Sequence, residues 1–224
     1  MPTFDAVFFD LDGTLADTAP DLAAAANRLV VEHGRPPVDY ALLRPVASHG
    51  ARGLIGAAFG KTPEDPDFPA LRDAFLNYYE ADIAVQTRLF DGMEEVLSAL
   101  ESAGIRWGIV TNKIARFTTP LVNAIGLAPR AAAVVSGDTT PYPKPHPAPL
   151  LHAAQVSGVD PSRCAYVGDD LRDIQAGKAA GMATITAAYG YCGEGEPPER
   201  WGGDHLVRHP SELIPLLTAA VPTA

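Results

Sequence analysis

Cysteine is scarce. Only Cys164 and Cys192 occur in 224 residues, far apart and in no spacing that would hold a metal or form a redox dithiol. A disulfide-stapled scaffold and a thiolate metal site are therefore excluded, and a reducing, cytoplasmic setting is expected. No apolar run approaches the ~18 residues needed to cross a bilayer. Met1-Pro-Thr-Phe-Asp5 has neither the charged nor the apolar region of a secretion signal, so neither a membrane segment nor a signal peptide is expected. Positive charge is also in short supply. Lys plus Arg number 17 against 27 Asp plus Glu, a net charge of −10, which disfavours a nucleic-acid partner because phosphate-backbone binding needs a basic surface. The six histidines show no paired metal spacing, and Gly50-Ala-Arg-Gly53 lacks the preceding strand that a phosphate-binding or dinucleotide-binding glycine turn requires.

What remains is ordinary globular composition, 47% apolar and 20% charged, enough for one core with a modest insertion. Val7-Phe8-Phe9 is a short buried-strand pattern ending at Asp10. Leu22, Ala26, Leu29 and Val30 then recur at helical spacing behind a Thr18 cap, until Gly34 and Pro36-Pro37 end the pattern. Further helical patterns run through Leu42, Leu43 and Val46, through Leu54, Ile55 and Ala58, and through Leu71, Phe75, Tyr78 and Tyr79. From Asp91 helix and strand alternate: strands at Trp107 to Val110, Ala133 to Val135, Ala165 to Val167, Ala183 to Ile185 and Leu206-Val207 are separated by helical patterns, with a last helix from Ser211. This rhythm predicts a doubly wound α/β fold with a parallel, Rossmann-like sheet. The core is expected to comprise residues 1–16 and 89–224, interrupted after the first strand by a helical insertion over 17–88. The Gly/Pro-rich stretch from Gly190 to Gly203 reads as a surface loop.

Ligands of open parallel sheets sit beyond the carboxyl ends of the strands, so polar residues directly after buried strands carry the information. The first strand delivers Asp10 and Asp12, the second Thr111-Asn112-Lys113, and the strand ending at Val167 delivers Gly168-Asp169-Asp170 and then Asp173; Lys144 follows the strand at Val135. Taken singly, each has an ordinary explanation: a helix-capping aspartate, or a solvated lysine. Their convergence on one sheet edge does not. Carboxylates plus water suit an oxygen-loving cation such as Mg²⁺, which joins protein to phosphate. A carboxylate attacks an anionic phosphoryl group only when repulsion is screened, which a metal and a lysine would do. Asp10 is then the expected nucleophile and Asp12 the acid/base that serves the leaving alkoxide and later water. Thr111, the Asn112 backbone N–H and Lys144 would hold phosphoryl oxygens, Asp169 would complete the metal site, and Asp170, Asp173 and Thr14 would stand behind these groups and orient them.

These residues resemble the haloacid dehalogenase-like phosphohydrolases. Asp10-Leu-Asp-Gly-Thr-Leu15, Val110-Thr-Asn-Lys113, Lys144-Pro145 and Gly168-Asp-Asp-Leu-Arg-Asp173 are similar to the family's four motifs in order, spacing and strand context. The resemblance implies an aspartyl-phosphate intermediate and Mg²⁺ held by Asp10, Asp169 and the backbone carbonyl of Asp12. The insertion resembles the helical cap of the phosphoglycolate phosphatase branch. Within it Ser48-His-Gly-Ala-Arg-Gly53 is similar to the specificity loop, which makes His49, Gly50 and above all Arg52 the expected contacts to the substrate's leaving group. Val110-Thr-Asn-Lys113, Gly168-Asp-Asp-Leu-Arg-Asp-Ile174 and Tyr189-Gly-Tyr191 resemble the N-acetylmuramic acid 6-phosphate phosphatases more than the phosphoglycolate phosphatases. His146 and Asp170 depart from the residues usual at their positions. A small phosphate ester is the expected partner, and the chain is expected to be a monomer or weak homodimer. A sugar-phosphate mutase shares the motifs. A receiver-like signalling module shares the acidic pocket, threonine and lysine, but it lacks a helical insertion and has no use for Asp12, which would hasten loss of an acyl phosphate.

Overall fold

A computed structural model describes residues 4–193 and 195–219; the first three residues, Glu194 in the Gly190–Gly203 stretch and residues 220–224 lie outside the described residues. The chain opens with β1 (Ala6–Phe9), whose side chains alternate between two cores: Val7 and Phe9 enter one, Ala6 and Phe8 the other. This period-two division is what makes the run apolar throughout. A two-residue strand β2 (Ala16–Asp17) leads into α1 (Ala19–Glu32), α2 (Tyr40–Leu43), a 3₁₀ segment (Arg44–His49), α3 (Gly50–Phe59) and α4 (Phe68–Ala81). The return is β3 (Arg88–Leu89), which pairs antiparallel with β2, so the two passages between sheet and helices are tied to each other.

Then follow α5 (Met93–Ser102), β4 (Arg106–Val110), α6 (Ala115–Ala124), β5 (Val134–Val135), α7 (Ala148–Ser157), β6 (Cys164–Gly168), α8 (Leu171–Ala179), β7 (Ala183–Ala187), β8 (His205–Val207) and α9 (Leu213–Thr218). The main sheet is wholly parallel in the order β5-β4-β1-β6-β7-β8. Apolar residues of α5, α6 and α9 cover one face, with Trp107 and Ile109 of β4; those of α7 and α8 cover the other, with Tyr166 of β6. A third apolar cluster lies among α1, α3 and α4, and Phe117 of α6 and Tyr191 join it from the sheet side. With β1 central and β4 and β6 on either side, the chain reverses direction of winding at β1, and the carboxyl ends of these three strands open onto one crevice.

Two expectations are revised. The pattern at Leu42 to Val46 is a single helical turn continued as a 3₁₀ segment, because Pro45 lacks the N–H that a continuing α-helix would use. The Gly190–Gly203 stretch is irregular but not superficial: Tyr191 and Trp201 are buried within it. Among the described residues no helix is long and apolar enough to cross a membrane.

Candidate active site

β1 ends at Phe9 and hands Asp10 to the crevice, where its Oδ1 accepts the Leu11 N–H at 2.8 Å and meets Lys144 Nζ at 2.9 Å. Lys144 comes from the loop after β5 and is only 3% exposed. Its ammonium also reaches Asp173 Oδ1 at 2.7 Å, the Val110 carbonyl at 3.0 Å and the Tyr166 phenol at 2.8 Å. Burial alone would depress its pKa, but Asp10 and Asp173 outweigh that and hold it above the ordinary lysine value. Asn112 fixes the loop through its side chain: Nδ2 donates to the Lys144 carbonyl and Oδ1 accepts the Lys144 N–H, both at 2.9 Å.

Asp169 lies deeper, 1% exposed, with Oδ1 accepting from the Thr14 hydroxyl at 2.9 Å and Oδ2 from the Tyr191 N–H at 2.8 Å. Two glycines make room for it. A Cβ on Gly13, whose φ is +85°, would stand 2.2 Å from Asp169 Oδ2, and one on Gly190 would stand 2.3 Å from Asp169 Cβ. Asp173 closes a capping box on α8 with Asp170, accepting its N–H at 3.1 Å. One carboxylate oxygen from each of Asp10, Asp169 and Asp173 falls within 4.8 Å of the others. Burial, with the neighbouring carboxylates added and Lys144 opposing, pushes the Asp10 carboxyl up to about 7, and burial with Asp10 and Asp173 raises Asp169 well above the usual carboxylate range. When all three are ionised, the one ammonium, which touches Asp10 and Asp173, leaves negative charge uncompensated. An all-oxygen set of this kind fits a hard divalent cation.

Asp12 is not part of that cluster. Its Oδ1 accepts from the Thr18 hydroxyl at 2.5 Å and pairs with Lys113 Nζ at 3.0 Å. Lys113 also donates to the Tyr79 phenol on α4 at 3.1 Å, so one lysine links a side chain of the helical segment to Asp12. Burial opposes the Lys113 charge, yet Asp12 and Tyr79 hold its pKa above the ordinary value. The Thr111 hydroxyl accepts the Lys113 N–H at 3.1 Å and so keeps its own proton to give.

Asp10, Asp12, Thr111, Asn112, Lys144, Asp170 and Asp173 line one cavity of about 330 Å³, together with His49, Gly50, Phe75 and Tyr79 from the helical segment. Thr14 and Asp169 sit behind its wall. Arg52 does not line it. On α3 the apolar residues Leu54, Ile55 and Ala58 face inward, which turns Arg52 out to an adjoining groove beside His49 and Arg172. Arg172 lines both spaces and grips Asp170 through Nε at 2.8 Å and Nη2 at 2.6 Å. Sequence reasoning missed Tyr79 and Tyr166, since a tyrosine within an apolar pattern looks like core, and it singled out Tyr191 within Tyr189-Gly-Tyr191 by resemblance alone, with no role. It also undervalued Lys113, which reads as the end of Val110-Thr-Asn-Lys113 with no role of its own.

Fold and site together define a hydrolase of known type. The haloacid dehalogenase-like hydrolase family model matches residues 4–181, and the chain belongs to that family. It is 46% identical over 216 residues to the N-acetylmuramic acid 6-phosphate phosphatase of Pseudomonas aeruginosa, covering 96% of each chain. It is 47% identical over 210 residues to the phosphoglycolate phosphatase of Xylella fastidiosa, covering 92% of this chain and 90% of that one. Among solved structures, a predicted phosphoglycolate phosphatase from Haemophilus somnus superposes with a TM-score of 0.84 at 28% identity, covering 96% of this chain and 99% of the other.

Proposed function

We propose that the chain is a Mg²⁺-dependent phosphomonoesterase that works through an aspartyl-phosphate on Asp10, with Asp12 as acid and base. The observation that carries this reading is the arrangement of Asp10 between Lys144 at 2.9 Å and the oxygen cluster it forms with Asp169 and Asp173, beside a second carboxylate held apart from that cluster. Asp10 and Asp169 side chains, with the Asp12 carbonyl, would hold Mg²⁺. Bound there, the ion supplies charge that screens a phosphoryl group from the attacking carboxylate.

The rest falls to the protein. Lys144 and the Thr111 hydroxyl bind phosphoryl oxygens as the Asp10 oxygen attacks phosphorus. The ester P–O bond breaks, and Asp12 gives its proton to the departing alkoxide. Asp12 then takes a proton from water, whose oxygen displaces Asp10 from phosphorus and releases inorganic phosphate. The helices that roof the cavity act as its cap and exclude bulk water during transfer.

For the substrate we infer N-acetylmuramic acid 6-phosphate ahead of 2-phosphoglycolate. A cavity of about 330 Å³ with Phe75, Tyr79 and Phe117 in its wall has room and stacking surface for a sugar ring, and a two-carbon acid would leave most of that wall uncontacted. Both acids carry a carboxylate that Lys113 or Arg172 can face. The test compares kcat/KM on N-acetylmuramic acid 6-phosphate, 2-phosphoglycolate and β-glucose 1-phosphate with Mg²⁺ and with chelator. We expect the sugar acid to lead by at least about tenfold and chelator to abolish all turnover. A lead for 2-phosphoglycolate would reverse the substrate order, and chelator-insensitive activity would remove the metal.

A further inference from the structure

The N-terminus of α1 is capped in an unusual way. A threonine preceding a helix ordinarily accepts a backbone N–H of the first turn with its own hydroxyl. Thr18 makes no such bond. Its hydroxyl instead donates to Asp12 Oδ1 at 2.5 Å. The N–H groups of Thr18 and Ala19 are both taken by the phenol of Tyr191, at 2.7 and 2.8 Å, and that phenol gives its proton to Asp17 Oδ1 at 2.9 Å. Two bonds accepted and one donated use the phenol oxygen fully.

Tyr191 is 4% exposed and held on every side. The Arg44 guanidinium lies 4.9 Å over its ring, Phe90 tilts against it at 6.4 Å, and its own N–H holds Asp169. One residue therefore joins a carboxylate of the oxygen cluster to the start of the helical segment.

We propose that Tyr191 is a positioning residue for Asp12, acting through Thr18: by holding the Thr18 and Ala19 N–H groups, with the two hydroxyls 3.4 Å apart, its phenol fixes the place from which the Thr18 hydroxyl orients the acid/base carboxylate. The inference rests on the acid/base role proposed for Asp12. Without the phenol oxygen, the Thr18 and Ala19 N–H groups lose the acceptor that anchors the start of α1, the Thr18 hydroxyl shifts with them, and Asp12 loses its donor. The step that suffers is protonation of the leaving group. A poor leaving group needs that proton and an aryl oxide does not.

The experiment uses Tyr191→Phe, Thr18→Val and the double variant with Mg²⁺ in single turnover, reading release of the alcohol from N-acetylmuramic acid 6-phosphate and from 4-nitrophenyl phosphate. Tyr191→Phe should slow the alkyl ester about tenfold, the effect of losing one hydrogen bond to a charged group, and the aryl ester less than about twofold. Thr18→Val should match it, and the double variant should be no slower than Thr18→Val alone. Equal losses on both esters, additive losses in the double variant, or a Tyr191→Phe chain without native circular dichroism would overturn the proposal. A fully active Tyr191→Phe against an active parent would overturn this inference only; a parent inactive on both esters would overturn the proposed function as well.

Discussion

In the proposed reaction Asp10 carries two burdens at the residue scale, since it must be ionised to attack and yet sits buried beside other carboxylates. Asp10→Asn should lower turnover by at least about a thousandfold. The same change removes a buried, repelled charge, so the variant without metal should melt higher than the parent at pH 8; a lower melting temperature would mean that the Lys144 pair outweighs the repulsion. The raised carboxyl also fixes a pH dependence. Its folded pKa of about 7 lies above the ordinary aspartate value of 3.8, so between these limits the folded chain binds more protons than the unfolded one. Stability of the metal-free protein should therefore fall as pH rises from about 4 to 7, and Mg²⁺ should flatten the curve. Melting temperatures at pH 5 and 7.5, with and without the ion, check this, and a metal-free protein that gains stability over that interval would contradict it. Asp10, Asp12, Lys144 and Asp169 were all legible from their places after buried strands. The partners that hold them were not: Tyr191 reaches Thr18 across 173 positions of sequence, a separation that no local pattern records.

At the scale of elements, the passages between sheet and helices depend on one buried acid. Asp21 of α1 accepts the N–H groups of Gln86 and Thr87 and the Thr87 hydroxyl, all at 2.7–3.1 Å. Asp21→Ala strands three donors near a buried position and should cost about 3 kcal/mol, read from the urea midpoint; a change under about 0.5 kcal/mol would mean that water replaces the carboxylate. Gly190→Ala is the matching test on the other side of the crevice. Its Cβ would meet Asp169 at 2.3 Å, so Mg²⁺ affinity by calorimetry should drop about tenfold or more while far-UV circular dichroism stays native. Unaltered affinity would show that the loop yields. The long strands and amphipathic helices could be read because their apolar periods are unbroken. β2 and β3, two residues each, have no period to read, and their pairing is decided by where the helical segment leaves and rejoins the sheet.

Across the whole molecule, a chain with a net charge of −10 concentrates Lys113, Lys144 and Arg172 around one cavity. Such local cations let an acidic protein admit an anion against its own field. The distribution also explains why a census of charge disfavoured nucleic acid yet said little of the substrate: Lys113, Lys144 and Arg172 are far apart in sequence and are gathered only by folding. Parallel order places β1 between β4 and β6, so the first, second and fourth motifs converge without any being near another in sequence. That convergence makes the central claim testable in one step. The protein is mixed with Mg²⁺ and a phosphate ester, quenched in acid within a turnover, digested and weighed by mass spectrometry. One phosphoryl group on the peptide that contains Asp10, absent from Asp10→Asn, is the expected result; turnover with no phosphorylated peptide, or with the group on another residue, would contradict it.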